Sequence, residues 1–295
     1  TVIPDDVTNI GYFAFYGCIN LNQIVIPSSV VSIDDAAFYG CSNLTSVTIP
    51  NSVRWLGTGV FSSCSSLISV TIPSGVKSIP ENAFYCCSSL SSVTIPTSVK
   101  SICASAFNGC SSLTSVTIPD SVTSIDSWVF GECVNLTSIT IPDSLTSIGD
   151  YAFRSCSLTS VIVSDSVTTI GDCAFYDCSS LTNITIPDNV TSIGGGAFYI
   201  EGNNVNISDS SFDDNTAVKG GAVYIAGNVT NIFDSNFTHN SVTNLTVMEG
   251  LGGAVFLENS HDGEFARCNF ENNSASVNGG AIDWHEGATK GRILN

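Results

Sequence analysis

Basic residues are scarce in this chain. Lys and Arg total 8 against 26 Asp and Glu in 295 residues, a formal net charge of −18. Duplex nucleic acid and anionic lipid both demand basic footprints, so neither is an expected partner. Histidine is scarcer still, with His239, His261 and His285 alone. None falls in a His-Glu-x-x-His pattern, and no Cys-x-x-Cys pair occurs, so neither a metal nor a cofactor is expected. No Gly-x-Ser-x-Gly elbow appears despite abundant serine, and no glycine loop has the spacing that cradles phosphate. No apolar run is long enough to cross a bilayer. Charged residues make up only 12% of the chain and apolar ones 43%, which excludes a charge-rich disordered polymer. Thr1 opens directly in Val-Ile-Pro, with no signal peptide and no polar cap. The expectation is a mature or excised piece whose uncapped first repeat invites end-to-end association.

What is present is a period. Proline recurs at Pro4, Pro27, Pro50, Pro73, Pro96, Pro119 and Pro142, always 23 residues apart; the pattern slips by one at Ser164 and resumes at Pro187. Other columns keep the register. Phe runs from Phe15 through Phe38, Phe61, Phe84, Phe107, Phe130, Phe153 and Phe175 to Phe198, and Leu from Leu21 to Leu181. A fixed period of this length marks a solenoid, in which each unit is too small to hide its own apolar side chains and must stack on neighbours. The one-residue slip falls at Cys156-Ser157-Leu158, where other units read Cys-x-x-Leu. A deletion inside a strand would invert every following side chain, so a turn is expected between the Cys and Leu columns.

Within each unit the pattern Leu-x-x-Val-x-Ile, as at Leu44, Val47 and Ile49, alternates like a strand with those residues inward. The intervening pairs then point outward: Ser92 and Thr94, Ser115 and Thr117, Ser138 and Thr140. Proline ends each strand because it cannot donate to a ladder. A second extended piece, Ser-Val-x-Ser-Ile, follows. A short helical or irregular stretch then carries the Phe and Cys columns.

Eight of the 12 cysteines form one column, from Cys18 to Cys178. Coils about 4.8 Å apart hold side chains parallel, whereas a disulfide needs convergent Cβ atoms about 3.8 Å apart. Buried free thiols acting as small hydrophobes are therefore expected. Cys86, Cys103, Cys173 and Cys268 lie off the column.

These columns resemble the BspA-like leucine-rich repeat family, whose pattern IPxSVTSIGxxAFxxCSxLTSVTI fits residues 1–198. The resemblance implies a leucine-rich-repeat solenoid, surface exposure or secretion, and adhesion. It carries no catalytic residues. After Ile200 a new repeat begins. Phe212-x-x-Asn215 leads to Gly220-Gly221-Ala222-Val223, Phe237-x-x-Asn240 to Gly252-Gly253-Ala254-Val255, and Phe270-x-x-Asn273 to Gly279-Gly280-Ala281-Ile282. These elements, over residues 205–285, look like the repeats of chlamydial polymorphic membrane proteins. That likeness implies a right-handed parallel β-helix with stacked asparagines. The middle copy carries extra residues at Ser241–Leu251, an expected protruding loop.

The fold class read from these patterns is a mainly β solenoid. About nine 23-residue repeats (1–200) continue directly into a short parallel β-helix (201–295), sharing one core. The function expected is that of a non-catalytic extracellular or cell-surface module. It would bind host or neighbouring-cell surface proteins or glycans through an extended face centred on Ser92, Thr94, Ser115, Thr117, Ser138 and Thr140. The alternative is a structural subunit of a surface layer or filament, assembling end to end. A polysaccharide-active enzyme is a weaker alternative, because the acidic pairs Asp34-Asp35 and Asp213-Asp214 lack a basic conjunction and the His261-Asp262 and Asp283–Glu286 stretches read as loop or strand ends. An ice-binding face is disfavoured because Asn183 and Ile162 interrupt the Ser/Thr columns. Among nine Asn-x-Ser/Thr sequons, Asn228, Asn236 and Asn244 are the candidate glycan acceptors.

Overall fold

The computed structural model describes residues 2–187, 189–190, 192–193, 198–200, 205–208, 210–213, 215–217, 220–226, 230–242, 252–258, 263–276, 279–284 and 292–294. Packing divides the chain into two compact units, Thr1–Ser144 and Leu145–Asn295. No helix occurs among the described residues of either unit. The segment expected to be helical or irregular is a chain of turns.

In the first unit each coil contributes two short strands. The three-residue strands Gln23–Val25, Ser46–Thr48, Ser69–Thr71 and Ser92–Thr94 pair in parallel, and Ser115–Thr117 pairs with Ser138–Thr140. The two-residue strands Asn9–Ile10, Ser32–Ile33 and Trp55–Leu56 form a second ladder. Ser78–Ile79, Ser101–Ile102 and Ser124–Ile125 form a third. Between the two strands the chain turns at proline, with the Val30, Val53, Val76 and Val99 amides donating to the Pro27, Pro50, Pro73 and Pro96 carbonyls at 3.0–3.1 Å. Where serine precedes these valines, as it does at all but Val76, it stitches one coil to the last. Ser29, Ser52 and Ser98 hydroxyls donate to the Val7, Val30 and Val76 carbonyls at 2.7, 2.6 and 2.8 Å.

The turn segment carries the core. Phe38, Phe61, Phe84, Phe107 and Phe130 are fully buried. Their rings stack coil on coil: Phe38–Phe61 at 5.2 Å, Phe61–Phe84 at 5.7 Å, Phe84–Phe107 at 5.3 Å and Phe107–Phe130 at 5.6 Å. The register is fixed by backbone. Amides of Phe15, Phe38, Phe61, Phe84 and Phe107 donate to the carbonyls of Ala37, Val60, Ala83, Ala106 and Val129 in the following coil, at 2.7–2.9 Å. Two residues before each Phe the backbone is left-handed, at Phe13, Ala36, Asn82, Ser105 and Trp128 with φ of 51–63°. Such a conformation is costly for a bulky residue. Here it is held by the neighbouring coil: the Ala36, Asn82 and Ser105 amides donate to the Thr58, Ala104 and Ser127 carbonyls at 2.8, 3.0 and 2.9 Å.

The second unit starts with the same coil. Ser147–Ile148, Thr169–Ile170 and Ser192–Ile193 form one ladder. The single-residue deletion is absorbed where expected, since Cys156, Ser157 and Leu158 lie outside any strand. A second ladder runs through the change of repeat without a break: Ser160–Ile162, Asn183–Thr185, Val205–Ser208, Thr230–Phe233, Glu264–Ala266 and Arg292–Leu294. The direct continuation expected from sequence is thus present within this unit. What changes is the turn segment. From Phe198 onward it straightens into strands: Phe198–Ile200, Val223–Ala226, Val255–Glu258 and Ile282–Trp284 form a ladder, as do Ser211–Asp213, Asn236–Thr238 and Asn269–Glu271. Phe175 stacks on Phe198 at 5.3 Å, and Phe198 meets Phe212 edge-on at 6.1 Å. One aromatic column hands over to the next there.

Both new motif elements have a physical reason. Asn215, Asn240 and Asn273 form the expected ladder, with Nδ2–H···Oδ1 bonds of 2.5 and 2.9 Å. In the Gly-Gly-Ala element the first glycine takes positive φ, at Gly220, Gly252 and Gly279. The second packs against the next coil, so a Cβ at Gly253 would lie 2.0 Å from the Gly280 carbonyl oxygen. Only the first two residues of the loop expected over Ser241–Leu251 are described, and they are not a loop. Ser241–Val242 pairs with Thr216–Ala217 as a strand, and residues 243–251 lie outside the described residues.

Candidate functional site

The outward face of the three-residue strands is built by alternation. In Ser69–Thr71 and Ser115–Thr117 the central valine is buried and the flanking hydroxyl residues are exposed. In Ser92–Thr94 and Ser138–Thr140 the flanks are likewise exposed while the centre is only half-buried. Parallel pairing in register places Ser over Ser and Thr over Thr: Ser69↔Ser92, Thr71↔Thr94, Ser115↔Ser138 and Thr117↔Thr140. The six residues singled out from sequence are therefore all exposed, and their hydroxyls make no hydrogen bond among the described residues. One feature departs from a continuous face. No ladder joins Ser92–Thr94 to Ser115–Thr117, so the six fall on two adjoining sheets rather than one. Backbone pairing depends on coil-to-coil geometry, which residue columns do not encode. The face is also not uniformly polar, because Val25 stands 70% exposed in the Thr column.

Of the sequon asparagines, Asn236 is half-buried in the strand Asn236–Thr238 and accepts a bond from Asn269 Nδ2 at 2.9 Å. Asn228 and Asn244 lie outside the described residues, as do His261, Asp262, Asp214 and His285. Asp34 accepts from Asn9 Nδ2 at 3.0 Å, and Asp35 from the Thr58 amide at 2.8 Å. Both first-unit acids therefore tie coils together.

All 12 cysteines are free. The column thiols do more than fill space. Cys64, Cys87, Cys110 and Cys133 donate S–H to the Phe38, Phe61, Phe84 and Phe107 carbonyls at 3.1–3.3 Å. Serine is the other small donor, but its hydroxyl is far costlier to bury than a thiol. Burial pushes the Cys87, Cys133 and Cys178 thiols up to about 12. Among the described residues no group of His, Cys, Asp and Glu is arranged to hold a metal ion. No helix among them is long and apolar enough to cross a membrane.

A second surface feature escaped the reading of columns. An open groove of about 460 Å³ in the first unit is lined by Phe13, Tyr16, Asp35, Tyr39, Ser62 and Tyr85, among others. Its sequence signal is the residue after each Phe of the column, which reads Tyr16, Tyr39, Ser62, Tyr85 in successive coils.

Parallel coils of a nearly fixed 23-residue length up to the change of repeat, a stacked aromatic column and free hydroxyl columns define a repeat solenoid of the leucine-rich-repeat class. Residues 1–114 and 100–208 match the BspA type leucine rich repeat region in six copies, and the chain belongs to that family. Residues 209–226 and 267–283 match the Chlamydia polymorphic membrane protein repeat, the first and third of the copies described above. A leucine-rich repeat protein from Bacteroides ovatus is similar over 100% of this chain and 82% of its own, at 25% identity and a TM-score of 0.67. Another from Eubacterium ventriosum is similar over 54% of this chain and 43% of its own, at 31% identity and a TM-score of 0.51. Comparison with curated proteins gives no match.

Proposed function

We propose that this chain is a non-catalytic, extracellular or cell-surface interaction module that binds surface proteins or glycans of a host or neighbouring cell. The contact face is the Ser/Thr surface centred on Ser92, Thr94, Ser115, Thr117, Ser138 and Thr140. The observation that carries this reading is that six exposed hydroxyls, each in register with its like in a paired strand of its own sheet, have no partner among the described residues. Each contact is weak, and affinity comes from repetition along the columns. Membership of the leucine-rich-repeat family supports an interaction role.

The test is binding of the full chain to immobilised matrix glycoproteins and to a glycan array, against the triple variant Thr94→Lys, Thr117→Lys, Thr140→Lys. Exposed strand positions tolerate lysine, so circular dichroism should be unchanged. A loss of at least tenfold in affinity is expected. Unchanged binding by the triple variant overturns the assignment of the face. Concentration-dependent oligomers in sedimentation, without ligand binding, support the structural-subunit reading instead.

A further inference from the structure

We propose that the groove beside Ser62 is a slot for an arginine side chain of a basic protein partner. Tyr16 and Tyr39 stack at 5.0 Å and 6°, one ring per coil. The next coil places Ser62 where the third ring would stand, and the coil after it restores the column with Tyr85. The neighbouring column is also emptied there. Gly59, at φ 62°, replaces a side-chain-bearing residue such as Phe13, Ala36 or Asn82. Both positions that would fill this coil are thus small, and the groove of about 460 Å³ lies over them.

The gap admits a flat group. Phe38–Phe61 is 5.2 Å and Phe61–Phe84 is 5.7 Å, so Tyr39 and Tyr85 are separated by about twice a coil spacing. That gap is about 11 Å, so a planar group stacked at about 3.5–4 Å on one ring fits with room for a further layer beside it. The floor of the slot carries a hydroxyl with no protein partner. Ser62 is 2% exposed, and its hydroxyl has no partner among the described residues. Ser62 lines the open groove, so this hydroxyl can accept from a donor that enters it.

Charge selects the flat group. The unit Thr1–Ser144 carries the acids Asp5, Asp6, Asp34, Asp35, Glu81, Asp120, Asp126, Glu132 and Asp143 against Arg54, Lys77 and Lys100. Asp35 lines the groove, with one carboxylate oxygen on the Thr58 amide. Asn82, another lining residue, holds Glu81 at 3.3 Å. No Lys or Arg lines the groove. The second unit shows the same coil position accepting a guanidinium: Arg154 follows Phe153 as Tyr39 follows Phe38, and its Cζ lies 5.6 Å from the Tyr176 ring centre. A guanidinium is flat, permanently charged and prone to stack on aromatic rings, and it offers N–H donors to both a hydroxyl and a carboxylate. Lysine matches only the charge.

This slot belongs to the turn segment and is independent of the Ser/Thr face. Its test uses fluorescence anisotropy of the full chain with three labelled Gly/Ser decapeptides carrying two arginines, two lysines or two citrullines. The arginine peptide should bind at least tenfold more tightly than the citrulline peptide and several-fold more tightly than the lysine peptide. Ser62→Tyr, which completes the tyrosine column and fills the slot, should abolish the arginine preference, with its fold checked by circular dichroism. Tyr85→Ala, an exposed position, should weaken arginine binding at least fivefold by removing one wall. Equal binding of arginine and lysine peptides, or full arginine binding by Ser62→Tyr, overturns the proposal. Binding of a neutral oligosaccharide at this groove in place of the peptide overturns it too.

Discussion

Replacing Phe107 by alanine should cost about 3–5 kcal/mol, the range for truncating a buried aromatic. Phe107 is 0% exposed and its ring is sandwiched between Phe84 at 5.3 Å and Phe130 at 5.6 Å. Loss of two ring contacts adds about 0.5–1.5 kcal/mol for each, so the upper part of the range is expected. The same change at Phe15 is the internal control. That ring is only half-buried, and it stacks on Phe38 at 5.0 Å. With one such stack and less burial, its loss should be about half as large. In a repeat chain, stability is close to a sum over neighbouring coils. Urea unfolding followed by circular dichroism gives the total. Hydrogen exchange at the Phe84 and Cys110 amides, which bond to Ala106 and Phe107 carbonyls, locates it. Protection should fall most at these coils. Equal losses for Phe107→Ala and Phe15→Ala, or a loss below about 1 kcal/mol for Phe107→Ala, would refute the reasoning that stacking of like on like holds the coils together.

Thiol chemistry gives a second test: Cys18, Cys86, Cys103, Cys173 and Cys268 are half-buried and should react with a disulfide reagent in the folded chain, while the seven buried thiols react only on unfolding. The same burial makes stability fall at alkaline pH. Cys87, Cys133 and Cys178 stay protonated to about 12 when folded but ionise from about 9 when unfolded, so the unfolded state holds fewer protons across that window and gains stability there; an unfolding midpoint that does not decline between these limits contradicts this. A third test is Gly253→Ala, which sets a Cβ 2.0 Å from the Gly280 carbonyl oxygen and should destabilise the second unit by more than about 1 kcal/mol, read as a lower urea midpoint.

Much of this was visible in the columns. Phe, Val, Leu and Ile repeat because the same inward positions recur in each coil, and the slip at Ser157 marks a turn because only a turn forgives it. The asparagine ladder was legible for the same reason. What was not legible lives in the backbone. Phe13, Ala36, Asn82, Ser105 and Trp128 share a left-handed conformation but no common side chain, so no column announces it. The interruption between Ser92–Thr94 and Ser115–Thr117 leaves the Ser and Thr columns untouched. The thiol-to-carbonyl bonds require a direction for Sγ that spacing cannot give. The groove was hidden for a different reason: it is a missing member of a column, and an irregularity at Ser62 looks like variation until its neighbours are seen to stack.

The amides of Phe15, Phe38, Phe61 and Phe84 all point one way, toward carbonyls of the following coil. Each of these junctions is therefore the same plug meeting the same socket. Copying or excising a whole 23-residue winding, by unequal recombination in the gene, leaves each remaining junction matched. Reach and the arrangement of surface features can drift over generations by whole steps without the fold being reinvented.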